Sequence, residues 1–480
     1  MKTTLKIMTF ALLTAMVLTG CQKAYTIMVV SNNPEWGTVS GGGTYPDGAD
    51  ATISATPFEG YYFVSWQDGD RNNPRVVRVT QNVTYTAVFS NTPGGGGGDD
   101  GDPLTMSGTI SENVTWPDRG LPVDYIVDGM LNIEGNALLT IAPGVTIMFT
   151  SVNGGLYVSE NAGLRMVGTA EKPIVLQGPA NNPNNGSWDG VVVTSRRSDN
   201  QFEYVQFLRG GSNDIAYAGV VDVTGKLSMK HCLVDGGLSN GVSLENEGYL
   251  TAFENNVVKN CIYYPVRVEN FESACKGFNA TNTFSGNTAG NVIYLANIGA
   301  NIETENLTFA YTGYPYRAEG SIGIDGNKTF TIEPGVVIEM NSNESFTVSG
   351  VTFVANGTGD RPIVFRCVQE GEQWNGVGIF SSRNGNSISH CQIRDCGTGD
   401  WYAENHCLYI GGNARLALTN NVFGPSAWYG VAIESIESWG NVTHSGNTFV
   451  SCDNGNVWIE GGGEYNGQEY EDGQILTDLP

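Results

Sequence analysis

Few side chains in this chain are of a type and spacing that could do chemistry, so each can be followed individually. The aromatic dipeptides stand out. Trp401-Tyr402 and Trp428-Tyr429 lie 27 residues apart, Tyr263-Tyr264 holds the matching turn earlier in the chain, and Tyr314 and Tyr316 occupy another loop. Flat apolar rings with a polar tip suit the faces of sugar rings. The competing expectation is that they merely cover loop edges. The spacing of the two Trp-Tyr turns leads us to expect their rings side by side and exposed. Nearby acids (Asp400, Glu404, Glu434, Glu437) could accept sugar hydroxyls or hold Ca²⁺, but surface acids are expected in so acidic a chain. No spacing demands a metal or any other cofactor.

Bases able to abstract a proton are few: Arg267, Lys276, Arg383 and Arg394. Of the four histidines, His231 and His390 each precede a cysteine at equivalent places, with His406 and His444 elsewhere. A His-Cys pair can join a zinc site, but a closed site needs four ligands, and none is supplied locally. Capping of a bend accounts for them better. Eight cysteines follow Cys21, and most read as small buried residues. Cys396 with Cys407 is the pair best placed for a bridge.

The N-terminus is an address. Lys2 and Lys6 precede an apolar run from Ile7 to Leu18, which is followed by Thr19-Gly20-Cys21. A basic start, a short apolar stretch and small residues describe an export signal over residues 1–20. Leu18-Thr19-Gly20-Cys21 also resembles a bacterial lipobox, which implies lipidation of Cys21. The protein is then an outer-membrane lipoprotein, facing the cell surface or the periplasm, whose membrane contact is through the lipid alone. The 49 acids against 24 bases, a net charge of −25, argue against a nucleic-acid partner.

These residues must be positioned by β structure. The 480 residues include 64 Gly and 46 Asn with only 15% charged, which means many turns and excludes a helical bundle. A Gly/Asp-rich linker, 91–103, separates residues 21–90 from 104–480. Within the larger part, Ile141-Ala142-Pro143-Gly144-Val145 recurs as Ile332-Glu333-Pro334-Gly335-Val336, and Trp188-Asp189-Gly190-Val191 as Trp374-Asn375-Gly376-Val377. This is an internal duplication, about 121–316 and 317–460. A finer beat runs through Cys232, Asn256 and Asn282, then Cys391, Asn421 and Asn447, in steps of 24 and 26, then 30 and 26. Short apolar strands recur on the same beat. The fold expected is all-β: a right-handed parallel β-helix solenoid of some fourteen coils, with Asn side chains stacked in a ladder at one bend.

Two resemblances add to this reading. Gly37-Thr38-Val39, Tyr45, Gly48, Ala55-Thr56-Pro57, Gly60-Tyr61, Phe63, Trp66 and Thr86-Ala87-Val88-Phe89 resemble the InlB B-repeat family. That implies a small β-grasp-like spacer or adhesive domain, with Phe63 and Trp66 in its core. The larger module, opening Leu139-Thr140-Ile141-Ala142-Pro143-Gly144-Val145, resembles the exported right-handed β-helix proteins of the pectin-lyase-like superfamily found in Bacteroidetes. Hydrolases of that fold carry Asn-x-Asp, Asp-Asp, Gly-His-Gly and Arg-x-Lys motifs. None occurs in residues 104–480. The resemblance specifies fold well and activity poorly, and with the aromatic turns the expectation is a non-catalytic envelope protein that binds a polysaccharide or glycoconjugate. The ligand residues expected are Trp401, Tyr402, Trp428, Tyr429, Tyr263 and Tyr264. A polysaccharide lyase or glycoside hydrolase, and a purely structural or adhesive rod, are the alternatives.

Overall fold

The structure is a computed structural model that describes residues 23–68, 70–90, 102–182, 184–211, 218–296, 299–397 and 405–480. The export signal, Cys21, most of the linker and the Trp401-Tyr402 turn lie outside these residues. The chain divides into two compact units, Met1–Asp100 and Gly101–Pro480.

In the first unit, alternating strands build two small sheets. Ala24–Ser31 lies between Gly43–Pro46 and Val83–Ser90, with Tyr62–Trp66 at the far edge. The second sheet joins Gly37–Ser40, Asp50–Pro57 and Arg75–Arg78. Their inward residues Ile27, Ile53, Val79, Ala87 and Phe89 surround a fully buried Trp66. The Trp66 indole N–H donates to the Asn72 carbonyl at 3.0 Å, and Phe63 packs edge-on against the Trp66 ring.

The second unit is a β-solenoid of about 13 turns. Among the described residues one sheet runs its whole length in fourteen strands, from Thr109–Ile110 to Thr448–Phe449. Strand alternation sends every second side chain inward. Register aligns these into an unbroken apolar column, Leu156, Val191, Val221, Val242, Val266, Ile293, Tyr316 and Ile338 among its members. A single turn cannot bury its inner face alone; stacking does so. At the C-terminal end the pattern changes. Gln474–Leu476 pairs antiparallel with Gly455–Gly461 and so ends the eight-stranded sheet in a three-residue strand, the kind of short edge that discourages further strand addition.

The asparagine ladder holds the bends. The Cys232 N–H donates to Asn256 Oδ1 (2.9 Å), and the Asn256 N–H to Asn282 Oδ1 (3.0 Å). The Asn256 amide donates in turn to the Met229 carbonyl at 3.0 Å. The second copy repeats this with Cys391, Asn421 and Asn447. Just before the ladder residues, His231, Asn255, His390 and Asn420 turn the chain at positive φ. Asn200 and Asn386, which the periodicity reading passed over, brace a second bend in the same way. Asn256→Ala would unpair two buried backbone groups and is expected to cost roughly 1–3 kcal/mol in denaturant unfolding. Asn246 is exposed at φ +52, so Asn246→Gly is the matched control and should change stability by less than about 0.5 kcal/mol. Equal losses would contradict the ladder.

The two copies do not occupy the same sides of the stack. Asn256 and Asn282 lead into strands of the first eight-stranded sheet, whereas Asn421 and Asn447 lead into the long sheet. Likewise Trp188 precedes a strand of the long sheet, and Trp374 one of the second eight-stranded sheet. The reason is local. The short helix Phe271–Ala274 follows the long-sheet strand Val266–Val268, where earlier turns place a strand of the six-stranded sheet. It touches both the last strand of that sheet, Tyr249–Glu254, and the first of the new one, Gly299–Ile302. Equivalent strands in the second copy therefore fall one side further round, a third of a turn.

Candidate functional site

On the second eight-stranded sheet, four neighbouring strands carry an outward column. Gly376–Ile379, Leu408–Ile410, Tyr429–Ser435 and Gly455–Gly461 point Val377, Leu408, Val431 and Val457 into the core. Between those inward positions Gly378, Tyr409, Ala432 and Trp458 face out in register. Small residues thus alternate with large rings. A Cβ on Gly378 would come within 2.9 Å of the Phe380 ring, so Phe380 lies over the gap, 37% exposed and 5.6 Å from Tyr409. The Tyr409 hydroxyl donates to Glu460 Oε2 at 2.7 Å.

His406 sits among these rings, 6.2 Å from Tyr409, 5.8 Å from Tyr429 and 5.5 Å from Trp458. Burial pushes its pKa down to about 4, so it is neutral near pH 7 and no source of positive charge. The row from Phe380 to Trp458 crosses four strands, roughly 14 Å along the axis.

Of the two Trp-Tyr turns only Trp428-Tyr429 falls among the described residues, and there Tyr429 stacks face to face on Trp458, at 5.7 Å and 11°. In-register parallel strands are under 5 Å apart, which favours ring stacking over splaying. Trp428 stands at 78° to Tyr429 and turns its plane out of that pile. Trp428, Tyr429 and Trp458 are all half-buried. Trp401 and Tyr402, with Asp400 and Glu404, lie outside the described residues. Sequence reasoning missed Phe380, His406, Tyr409 and Trp458 as members of this group. The signal was present in Leu408-Tyr409-Ile410 and Val457-Trp458-Ile459, where one ring between two aliphatics marks an outward position.

Tyr263 and Tyr264 belong elsewhere. Because of the one-third-turn offset they flank the long sheet, so the two copies' aromatic turns do not share a side. Tyr264 stacks on Tyr294 at 4.1 Å and 6°. Tyr294 belongs to the long sheet's outer column, which runs Asp222, Ser243, Arg267, Tyr294, Arg317, Glu339 and Arg366. The far end of this column neutralises itself: Glu339 takes Arg317 at 2.8 Å and Arg366 at 2.6 Å. The near end does not. Arg267 is 8% exposed; among the described residues its nearest carboxylate oxygen is Glu269 Oε1 at 3.9 Å, and its Nη1 has no hydrogen-bond partner. Asp222 Oδ1 is likewise buried and unpartnered. Burial, then the charge of Glu245, holds the Asp222 carboxyl well above the usual carboxylate range.

The remaining candidate bases have structural employment. Lys276 pairs with Glu305 at 2.9 Å. Arg197 braces its turn through Asp199 and the Asn136 carbonyl, and Arg383 bonds the Gly350 carbonyl in the equivalent turn. Arg394 lies 3.9 Å from Asp395. Glu434 accepts from the Gly412 N–H. Among the described residues all eight cysteines are free thiols, and no group of three His, Cys, Asp or Glu is arranged to hold a metal ion. Cys396 is not bridged to Cys407; both thiols are buried, and they share a hydrogen bond. Cys396 also stands in a backbone column with Trp374, Ser426 and Cys452.

Comparison with known families matches residues 27–93 to the divergent InlB B-repeat domain, and residues 108–224 to the pectate-lyase like beta helix domain. No curated protein and no solved structure matches. The chain therefore carries an InlB B-repeat domain followed by a pectate-lyase-like β-helix, which relates it to carbohydrate-associated proteins at the level of fold.

Proposed function

We propose that this is an exported, lipid-anchored envelope protein that binds a polysaccharide or glycoconjugate non-covalently along the outer face of its β-helix. The observation that carries the reading is the row of partly open rings Phe380, Tyr429 and Trp458, with Trp428 beside it and Tyr409, only 3% exposed, as the packed link beneath. Core aromatics such as Trp188 and Trp374 are fully buried, whereas Phe380, Tyr429 and Trp458 keep part of their surface open. An apolar row with a few polar groups, here the exposed Glu460 carboxylate that Tyr409 holds in place, is the chemistry sugar rings need. Its length along the stack suits an extended chain. The experiment is affinity electrophoresis in gels containing soluble polysaccharides, where retardation of the folded chain supports binding and free migration in every gel counts against it.

The anchoring part rests on Leu18-Thr19-Gly20-Cys21, with the InlB B-repeat domain as the spacer above the membrane. Cys21→Ala is expected to move the protein from the membrane fraction to the soluble one with its fold intact. A variant that still sediments with membranes would contradict the lipid anchor.

A further inference from the structure

The near end of the long sheet's outer column has features that packing alone does not explain. A guanidinium taken out of water without a close carboxylate is strongly disfavoured, yet Arg267 is more than nine-tenths buried with one nitrogen unpartnered among the described residues. Two strands away in the same column, Asp222 offers an unpartnered oxygen. One strand to the other side, Tyr294 carries the stacked Tyr264 ring. A donor, an acceptor and an aromatic pair thus line up over roughly 15 Å of one sheet face. By contrast Arg317 and Arg366, further along, are spent on Glu339.

We propose that Asp222, Arg267 and the Tyr264–Tyr294 pair form a second carbohydrate subsite, which makes the protein bivalent for glycan chains. The ligand is a neutral sugar unit whose hydroxyls accept from Arg267 and donate to Asp222. A neutral ligand fits because Glu269 already faces the single guanidinium at 3.9 Å, which leaves no net positive charge to draw in a carboxylate or sulfate. Bivalency follows from the duplication offset. This subsite lies on the long sheet, and the Phe380–Trp458 row lies on the second eight-stranded sheet, one side further round the same stack. One molecule can then hold two chains that approach from different directions. The inference rests on the glycan-binding reading above.

A bridging assay tests it with the full chain. The protein is loaded on beads of an insoluble neutral polysaccharide, and capture of a soluble, fluorescently labelled neutral polysaccharide (galactomannan, xyloglucan or mixed-linkage glucan) is measured, with polygalacturonate as the acidic arm. Wild type is expected to bind the beads and capture the neutral soluble chain. Arg267→Met and, independently, Asp222→Asn should still bind the beads but lower capture by about tenfold. Removing a buried charge that lacks a close partner should leave the melting temperature of Arg267→Met unchanged or raised; a purely structural arginine would lower it. Wild-type bead binding without capture, or undiminished capture by both variants, would overturn bivalency while leaving the first site standing. Preference for polygalacturonate would overturn the neutral assignment, and shortening of the captured chain would overturn the subsite in favour of cleavage. Failure of wild type to bind any bead would sink the glycan reading itself, and this inference with it.

Discussion

Trp188→Ala and Trp374→Ala are each expected to destabilise the β-helix by about 3–5 kcal/mol, the cost of emptying a large core site. Both indoles are fully buried. Trp188 stacks on Phe149 at 4.4 Å and 4°, and Trp374 lies parallel to Phe365 at 6.5 Å. Each indole N–H also satisfies a backbone carbonyl, Leu208 or Arg394, at 2.8 Å. Replacement by Ala would leave both a cavity and an orphan acceptor. The glycine two residues on explains the Trp-x-Gly repeat: at Gly376, φ +89, a Cβ would fall 1.5 Å from the His406 carbonyl oxygen. Urea unfolding followed by tyrosine and tryptophan fluorescence checks this. A loss below about 1 kcal/mol for both variants would mean that the corner is not the tightly packed one described.

The second large effect is on binding. Trp428→Ala combined with Trp458→Ala removes the outward-turned ring and the base of the stack. With each ring contributing about 1 kcal/mol or slightly more, polysaccharide affinity should fall roughly tenfold to a hundredfold. Melting should barely change, since neither ring is fully buried. Packing residues would behave oppositely. A double variant that melts early and loses binding only in proportion to its unfolded fraction would assign these rings to loop packing.

Much of the fold was legible because a solenoid repeats its own reasons. The 24- to 30-residue beat picked out Asn256 with Asn282 and Asn421 with Asn447, and each pair does stack, though at two bends a third of a turn apart instead of the one expected. The offset between the copies was not legible. Matching motifs show common ancestry, but the side a strand occupies depends on every intervening strand. Four residues, Phe271–Ala274, form a helix capped by Asn270, whose side chain accepts from the Glu272 N–H at 2.9 Å. Nothing in Phe271-Glu272-Ser273-Ala274 announces that it will take a strand's place.

The site was legible in part. Trp428-Tyr429 stands out as a dipeptide in a turn, whereas Tyr409 and Trp458 sit singly inside apolar strands, where only the coil register says which way they point. Arg267 drew attention as one of few bases, but its missing partner is a tertiary fact. Asp222 was hidden in the run Gly219-Val220-Val221-Asp222-Val223, which reads as a buried strand.

The central claim is that the outer face of this β-helix binds glycan, and a glycan array probed with the folded wild-type chain tests it most directly. The account predicts selective binding to extended, neutral polysaccharide fragments, stronger for longer chains than for monosaccharides because the Phe380–Trp458 row crosses four strands. Folded protein that binds no glycan on the array would contradict it, and would leave a structural or adhesive rod as the reading of this chain.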